Sequence, residues 1–366
     1  MNLLESAWSL ALAGVVIGSV MGFVARRYHF CTMSALERHW YAGDSTGLRA
    51  WVLAAAVALS LTQVMRALGW IDISDSFYLT EPLSVIGTII GGVMFGVGMA
   101  LVGTCGFGAI IRFGGGSMRA LVVLTGIALA ALAAQRGLTG HVRAAILDPF
   151  SLDLGPFGGQ SAGALLSNLF GFDIALPLAV LIAAGLFIWI FRSAEFRRDR
   201  GKVISGTVIG AAIAAGWAVT SHFSGQLFHP VQIEAGSFVM PLGDAMLQII
   251  TVTGTLPDYG VGLAAGVLIG ATISAWRSKD MRWEACDDAR ELSRHLLGAF
   301  LMGTGGVFAL GCTIGQGVSA ASVMAVSSPI AMLSIAFGAR MGLAYLLEGS
   351  ATAFLRRHRH SGQPAE

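Results

Sequence analysis

Apolar residues gather into nine long runs separated by short polar stretches of uneven charge. The runs fall at roughly 7–25, 48–69, 83–104, 117–134, 174–192, 203–221, 258–276, 292–311 and 327–348. Each approaches the ~20 residues that an α-helix needs to cross a bilayer core. The pattern predicts an all-α polytopic membrane protein of about nine transmembrane helices. The first run has Glu5 where a signal peptide would carry positive charge, and Arg26 and Arg27 follow it, so it reads as a retained helix.

Lysine and arginine settle the expected orientation. Arg26, Arg27, Arg38 and Arg49 separate the first two runs, and Arg112 with Arg119 separate the third and fourth. Arg192, Arg197, Arg198, Arg200 and Lys202 lie between the fifth and sixth, and Arg277, Lys279, Arg282, Arg290 and Arg294 between the seventh and eighth. Arg356, Arg357 and Arg359 follow the ninth, whereas the stretch 70–82 carries Asp72, Asp75 and Glu81 and no basic residue. Nine crossings put every basic loop on the cytoplasmic side, with the N-terminus outside and the C-terminus cytoplasmic.

Four segments are too short to span and too apolar for exposed loops: 30–36, 158–170, 241–251 and 315–325. They predict re-entrant half-helices, because irregular backbone at membrane depth survives only inside protein or along a wet cavity.

A cysteine motif occurs twice, 207 residues apart: Gly91-x4-Gly96-x-Gly98-x6-Cys105-x2-Gly108 and Gly298-x4-Gly303-x-Gly305-x6-Cys312-x2-Gly315. With nine spans the run before Cys105 heads inward and the run before Cys312 outward. The expectation is inverted pseudo-symmetric repeats, a first over 1–192 with Cys31 and Cys105, and a second over 193–366 with Cys312 and a cytoplasmic tail. Gly14-x3-Gly18 and Gly206-x3-Gly210 echo the same relation.

Composition agrees with a membrane chain: 366 residues, 55% hydrophobic and 12% charged, mean hydropathy +0.72 and 49 glycines. A net charge of +2 is accounted for by basic loops and suggests no nucleic-acid surface. Four cysteines are too few for a disulfide scaffold. There is no phosphate-binding loop for ATP, and the absence of CxxC or HxxxH spacing gives no reason to expect a metal or other cofactor.

Candidate chemistry centres on Cys31, Cys105 and Cys312, each beside a threonine: Thr32, Thr104 and Thr313. A thiol is a soft contact for another sulfur, and a hydroxyl or backbone N–H suits an oxyanion. The pairing fits a ligand with a sulfur end and an oxygen end, approached closely at Gly106, Gly108 and Gly315. The alternatives are cysteines packed as small hydrophobes and a dithiol assembled in space. Cys286, among carboxylates in a basic-side loop, reads as incidental. Arg112 either attracts an anion or marks a helix end. His222 and His229 read as interfacial, and no intramembrane carboxylate pair suggests a proton relay.

The segment Gly22-Phe23-Val24-Ala25-Arg26 leading to Phe30-Cys31, together with Gly98-x6-Cys105-Gly106-Phe107-Gly108 and Gly305-x6-Cys312-Thr313-Ile314-Gly315, resembles the YeeE/YedE family of bacterial inner-membrane sulfur transporters. The resemblance covers essentially the whole chain. It implies full-length and half-length helices in pseudo-symmetric repeats, and three cysteines, here Cys31, Cys105 and Cys312, along a constricted path. It implies a non-enzymatic inner-membrane permease that passes thiosulfate by non-covalent thiol contacts. A small cytoplasmic sulfurtransferase is the implied partner. Other family members are linked to selenium or other sulfur species, and a membrane redox protein or a non-transporting anchor subunit are the competing readings.

Overall fold

A computed structural model describes residues 3–155, 159–225, 232–251, 258–286 and 288–350. The regular elements are helical. The first part of the chain forms α1 (Leu3–Arg27), α2 (Thr32–Glu37), α3 (Thr46–Ala67), α4 (Phe77–Thr80), α5 (Val85–Val102), α6 (Gly106–Gly114), α7 (Met118–Arg136), α8 (Leu138–Ile146), α9 (Ala162–Phe170) and α10 (Ala175–Phe191). The second forms α11 (Ala194–Arg198), α12 (Arg200–Ser224), α13 (Met240–Ile250), α14 (Tyr259–Arg277), α15 (Ala289–Phe308) and α16 (Ser327–Glu348). Wider π turns occupy Arg38–Ala42 and Gly315–Ala320.

Seven helical stretches among the described residues are long and apolar enough to cross a membrane, so the chain is a multi-pass membrane protein. The two other expected crossings are also helical. One, α10, has 17 residues, and α15 opens with Arg290, Glu291 and Arg294 in its first two turns. The expected half-helix segments contain α2, α9, α13 and the π turn; residue 158 lies outside the described residues, as do His229, Arg356, Arg357 and Arg359. Four short helices had no counterpart in the sequence reading: α4, α6 directly after Cys105, α8 and α11.

Side-chain hydrogen bonds fix several helix starts, since the first turn has N–H groups without intrahelical acceptors. Ser84 accepts from Gly87 N–H at 3.2 Å, Asp258 from Val261 N–H at 2.8 Å and Asp288 from Glu291 N–H at 2.7 Å.

Glycine determines how closely the helices approach. A Cβ on Gly14 of α1 would sit 2.5 Å from the Tyr259 carbonyl of α14, and one on Gly206 of α12 would sit 2.5 Å from the Ala50 carbonyl of α3. The duplicated motifs meet each other. A Cβ on Gly91 would lie 2.6 Å from Gly305 O and one on Gly305 2.5 Å from Gly91 O; for Gly98 and Gly298 the corresponding distances are 2.5 and 2.9 Å. Gly91 and Gly298 are equivalent motif positions, as are Gly98 and Gly305. The contacts are therefore reciprocal between α5 and α15. The same exchange continues outward: Gly96 of α5 packs on α16, while its motif equivalent Gly303 of α15 packs on α7.

Candidate functional site

Each of the three site cysteines follows a residue in left-handed conformation by two positions: His29 (φ 53°), Gly103 (φ 76°) and Leu310 (φ 55°). These residues close α1, α5 and α15 and turn the chain sharply. Two of the closures carry the wide hydrogen bond typical of such ends, Phe30 N–H to Ala25 O at 2.9 Å and Gly311 N–H to Gly306 O at 2.8 Å. Glycine accepts the geometry freely, but a side chain there costs roughly 1–2 kcal/mol, so His29 and Leu310 hold local strain. Each break delivers its cysteine to the start of a new helical turn.

That start explains the Cys-x2-Gly spacing. Gly315 N–H donates to Cys312 Sγ at 3.4 Å, and Gly108 sits beside the Cys105 sulfur in the equivalent place. The Cys312 sulfur therefore acts as an N-terminal cap, accepting from the residue three positions ahead. Gly106 fits against Phe238, whose carbonyl would be 3.0 Å from an added Cβ.

The breaks converge. Thr32 donates to Thr313 Oγ1 at 3.4 Å, and the Thr313 hydroxyl also contacts the Cys105 thiol. Cys105 lies within electrostatic range of both Cys31 and Cys312. A fourth segment, Ser237–Phe238, leads into α13 and joins them: the Phe238 N–H donates to the Cys312 sulfur, and the Phe238 ring lies 4.8 Å from that of Phe107. Cys105 and Cys312 are buried and Cys31 is half-buried; Thr32 and Thr313 are buried with them. Thr104 is buried as well, but it lines a cavity on the face that carries the basic loops. All four cysteines are free thiols, with Cys286 away from the cluster in the connection before α15.

The π turn after Cys312 is held rigidly. Gln316 Nε2 donates to Ala309 O at 2.7 Å, and Ser328 donates to Gln316 O at 2.6 Å. Gln63 donates to Ser322 O at 2.8 Å, and Trp217 Nε1 to Ser322 Oγ at 2.9 Å.

Two hydroxyls beside this scaffold are idle. Tyr78 and Ser237 are 2% and 3% exposed, and neither hydroxyl has a partner among the described residues. A Cβ on Gly315 would lie 2.9 Å from the Tyr78 oxygen and 3.3 Å from the Ser237 oxygen. Both therefore face Gly315, whose N–H the Cys312 sulfur caps. Leaving such donors unmatched costs about 1–3 kcal/mol each, which a ligand oxygen would relieve. The motifs gave no sign of them, because Tyr78 and Ser237 reach the site from distant segments.

Three cavities approach the cluster. One of about 340 Å3 on the basic face is lined by Cys31, Arg38 and Lys202. Another of about 430 Å3 on that face reaches Thr104. The third, about 530 Å3 on the opposite face, is lined by Leu310, Met240 and a carboxylate group of Glu234, Asp244 and Asp258. Burial and the charges of Asp258 and Asp244 push the Glu234 carboxyl up to about 8. This group was invisible in the sequence, since its members come from three separate connections and helix starts. Among the described residues no group of three His, Cys, Asp or Glu side chains is arranged to hold a metal.

Known proteins with similar sequences agree on one line of function. The chain is 25% identical over 333 residues to a thiosulfate transporter, TsuA, of Spirochaeta thermophila, covering 89% of this chain and 96% of that protein. It is 23% identical over 354 residues to the thiosulfate transporter TsuA of Escherichia coli K12, covering 90% and 93%. The family model for sulphur transport matches residues 27–341. The chain belongs to this sulphur transport family, the YeeE/YedE group that its cysteine-glycine motifs resemble.

Proposed function

We propose that the protein is an inner-membrane permease that imports thiosulfate, or a closely related sulfur oxyanion, by a non-covalent relay along Cys312, Cys105 and Cys31. The observation that carries this reading is the meeting of three thiols around Thr313, with the idle hydroxyls of Tyr78 and Ser237 at one end. The hydroxyls and the adjacent backbone N–H groups suit the oxygen end of the ion, and the thiols suit its terminal sulfur. An uncharged thiol adds no repulsion to a dianion, and each contact need contribute only about 1 kcal/mol. Weak serial contacts favour passage over trapping.

The architecture we infer is nine crossings in two inverted repeats, 1–192 and 193–366, with the N-terminus outside and the C-terminus in the cytoplasm. The reciprocal glycine contacts of α5 and α15 and the clustering of arginines on one face support it. Helix α10 would be the fifth crossing and α15 the eighth. A dianion entering a negative cell works against about 2.3 kcal/mol per charge per 100 mV, so consumption by a small cytoplasmic sulfurtransferase is a suitable sink.

The test is uptake of radiolabelled thiosulfate by cells lacking their own sulfur permeases. Intact protein should support uptake, and Cys105→Ala or Cys312→Ala should abolish it while the protein stays in the membrane. Normal uptake in both variants would remove the thiols from the path.

A further inference from the structure

The 430 Å3 cavity on the basic face is built for more than passage. Five arginines line it against three carboxylates: Arg26, Arg112, Arg119, Arg282 and Arg294 against Asp280, Glu284 and Glu291. Arg26 pairs with Asp280 at 3.2 Å and Arg119 with Glu291 at 2.7 Å, which holds the far wall. Arg112 and Arg294 make no ion pair among the described residues. Arg112 donates instead to the Gly103 carbonyl at 2.8 Å, so its guanidinium is fixed at the break that leads to Cys105.

Between them stands His295, 6% exposed, whose Nδ1 has no partner among the described residues. A buried imidazole nitrogen without a partner is costly; an anion entering the cavity would accept a hydrogen bond from it. The cavity wall also includes Thr104, one residue from the Cys105 thiol.

We propose that this cavity is a binding site for a tetrahedral oxyanion dianion, held by Arg112, Arg294 and His295, where the ion rests once it has left the thiols. The net excess of two positive charges matches a dianion, and planar guanidinium groups suit sulfonate oxygens. The position after the thiols rests on the permease reading; the binding site itself does not. Unlike the thiol cluster, this site reads only oxygens, so it should take sulfate, which has no terminal sulfur.

The experiment uses the intact chain in phosphatidylcholine nanodiscs with sodium sulfate as probe, measured calorimetrically at low salt. Intact protein should bind sulfate, and Arg294→Gln and His295→Ala should each weaken binding about tenfold or more, the loss of one charge-assisted contact. Arg294→Lys should recover part of it. Arg294 is exposed on the cavity wall, so its replacement tests the site without disturbing the core. Absence of sulfate binding in folded intact protein, or equal binding in both variants, would overturn the proposal. So would loss of sulfate binding on exchanging the lipid for phosphatidylglycerol, because the cavity would then belong to lipid headgroups. A protein that moves no thiosulfate yet binds sulfate through Arg294 would support this site while refuting the permease reading.

Discussion

Replacing Tyr78 by phenylalanine should stabilise the empty protein and weaken its hold on substrate. The side chain is 2% exposed and its ring packs 6.3 Å from Trp217 and 3.9 Å from Phe77, contacts that phenylalanine keeps. Only the oxygen is lost, and that oxygen has no partner among the described residues. Removing an unmatched buried hydroxyl recovers about 1–3 kcal/mol. If the same hydroxyl donates to a thiosulfate oxygen, its loss removes a hydrogen bond to a charged group, about 1.5–3 kcal/mol. At 1.4 kcal/mol per factor of ten, that is roughly a 10- to 100-fold rise in Kd. Thermal unfolding of the detergent-solubilised protein measures the first effect, and thiosulfate calorimetry on the same sample the second. The opposed signs are the diagnostic, since a merely structural tyrosine would lose stability and affinity together. A destabilised Tyr78→Phe, or one with unchanged affinity, would refute the assignment.

Other consequences are as specific. Gly103→Ala should destabilise by about 1–2 kcal/mol in chemical unfolding through backbone strain alone, because φ is 76° and the nearest atom to an added Cβ is 3.9 Å away. Gly98→Leu should prevent assembly of α5 on α15, seen as loss of a monodisperse peak in size-exclusion chromatography, since even a Cβ there would lie 2.5 Å from Gly298 O. Uptake should fall as external pH rises through about 8, where Glu234 ionises beside Asp258 and Asp244; Arg136 on α7 lies 3.9 Å from Asp244 and partly offsets the added charge. The raised carboxyl also implies stability that is full below the ordinary value of 4.5 and lost as pH rises towards 8. Glu234→Gln should flatten both profiles, and an unchanged pH dependence of uptake in that variant would remove Glu234 from the outer cavity's control.

The sequence made much of the frame legible because membrane crossings and the cysteine motif are local patterns. Runs such as 48–69 and 258–276 appear as α3 and α14 with small shifts at their ends. The spacing Cys-x2-Gly was visible as a repeat, but its cause, a sulfur accepting from the N–H three residues on, is a matter of geometry. Helix α6 was missed because its nine residues, although amphipathic, are too few to read as a span and follow directly on the apolar run that ends at Val102. Leu310 in a left-handed conformation carries no sequence signal at all; only its equivalence to Gly103 across the repeat hints at it. Tyr78, Ser237 and Glu234 were illegible for a different reason. Their roles arise from contacts with segments far along the chain, and none lies in a motif.

The most direct test of the central claim follows both sulfur atoms of thiosulfate. Purified protein in sealed proteoliposomes would be given the ion with different isotopes in its terminal and sulfonate positions, and the lumen and the cysteines would be analysed by mass spectrometry. Non-covalent passage predicts that the two labels enter in equal amounts, with Cys31, Cys105 and Cys312 unmodified throughout. Entry of the terminal label alone, or a persulfide on any of the three thiols during turnover, would contradict it and make the protein a sulfur-transferring redox device instead.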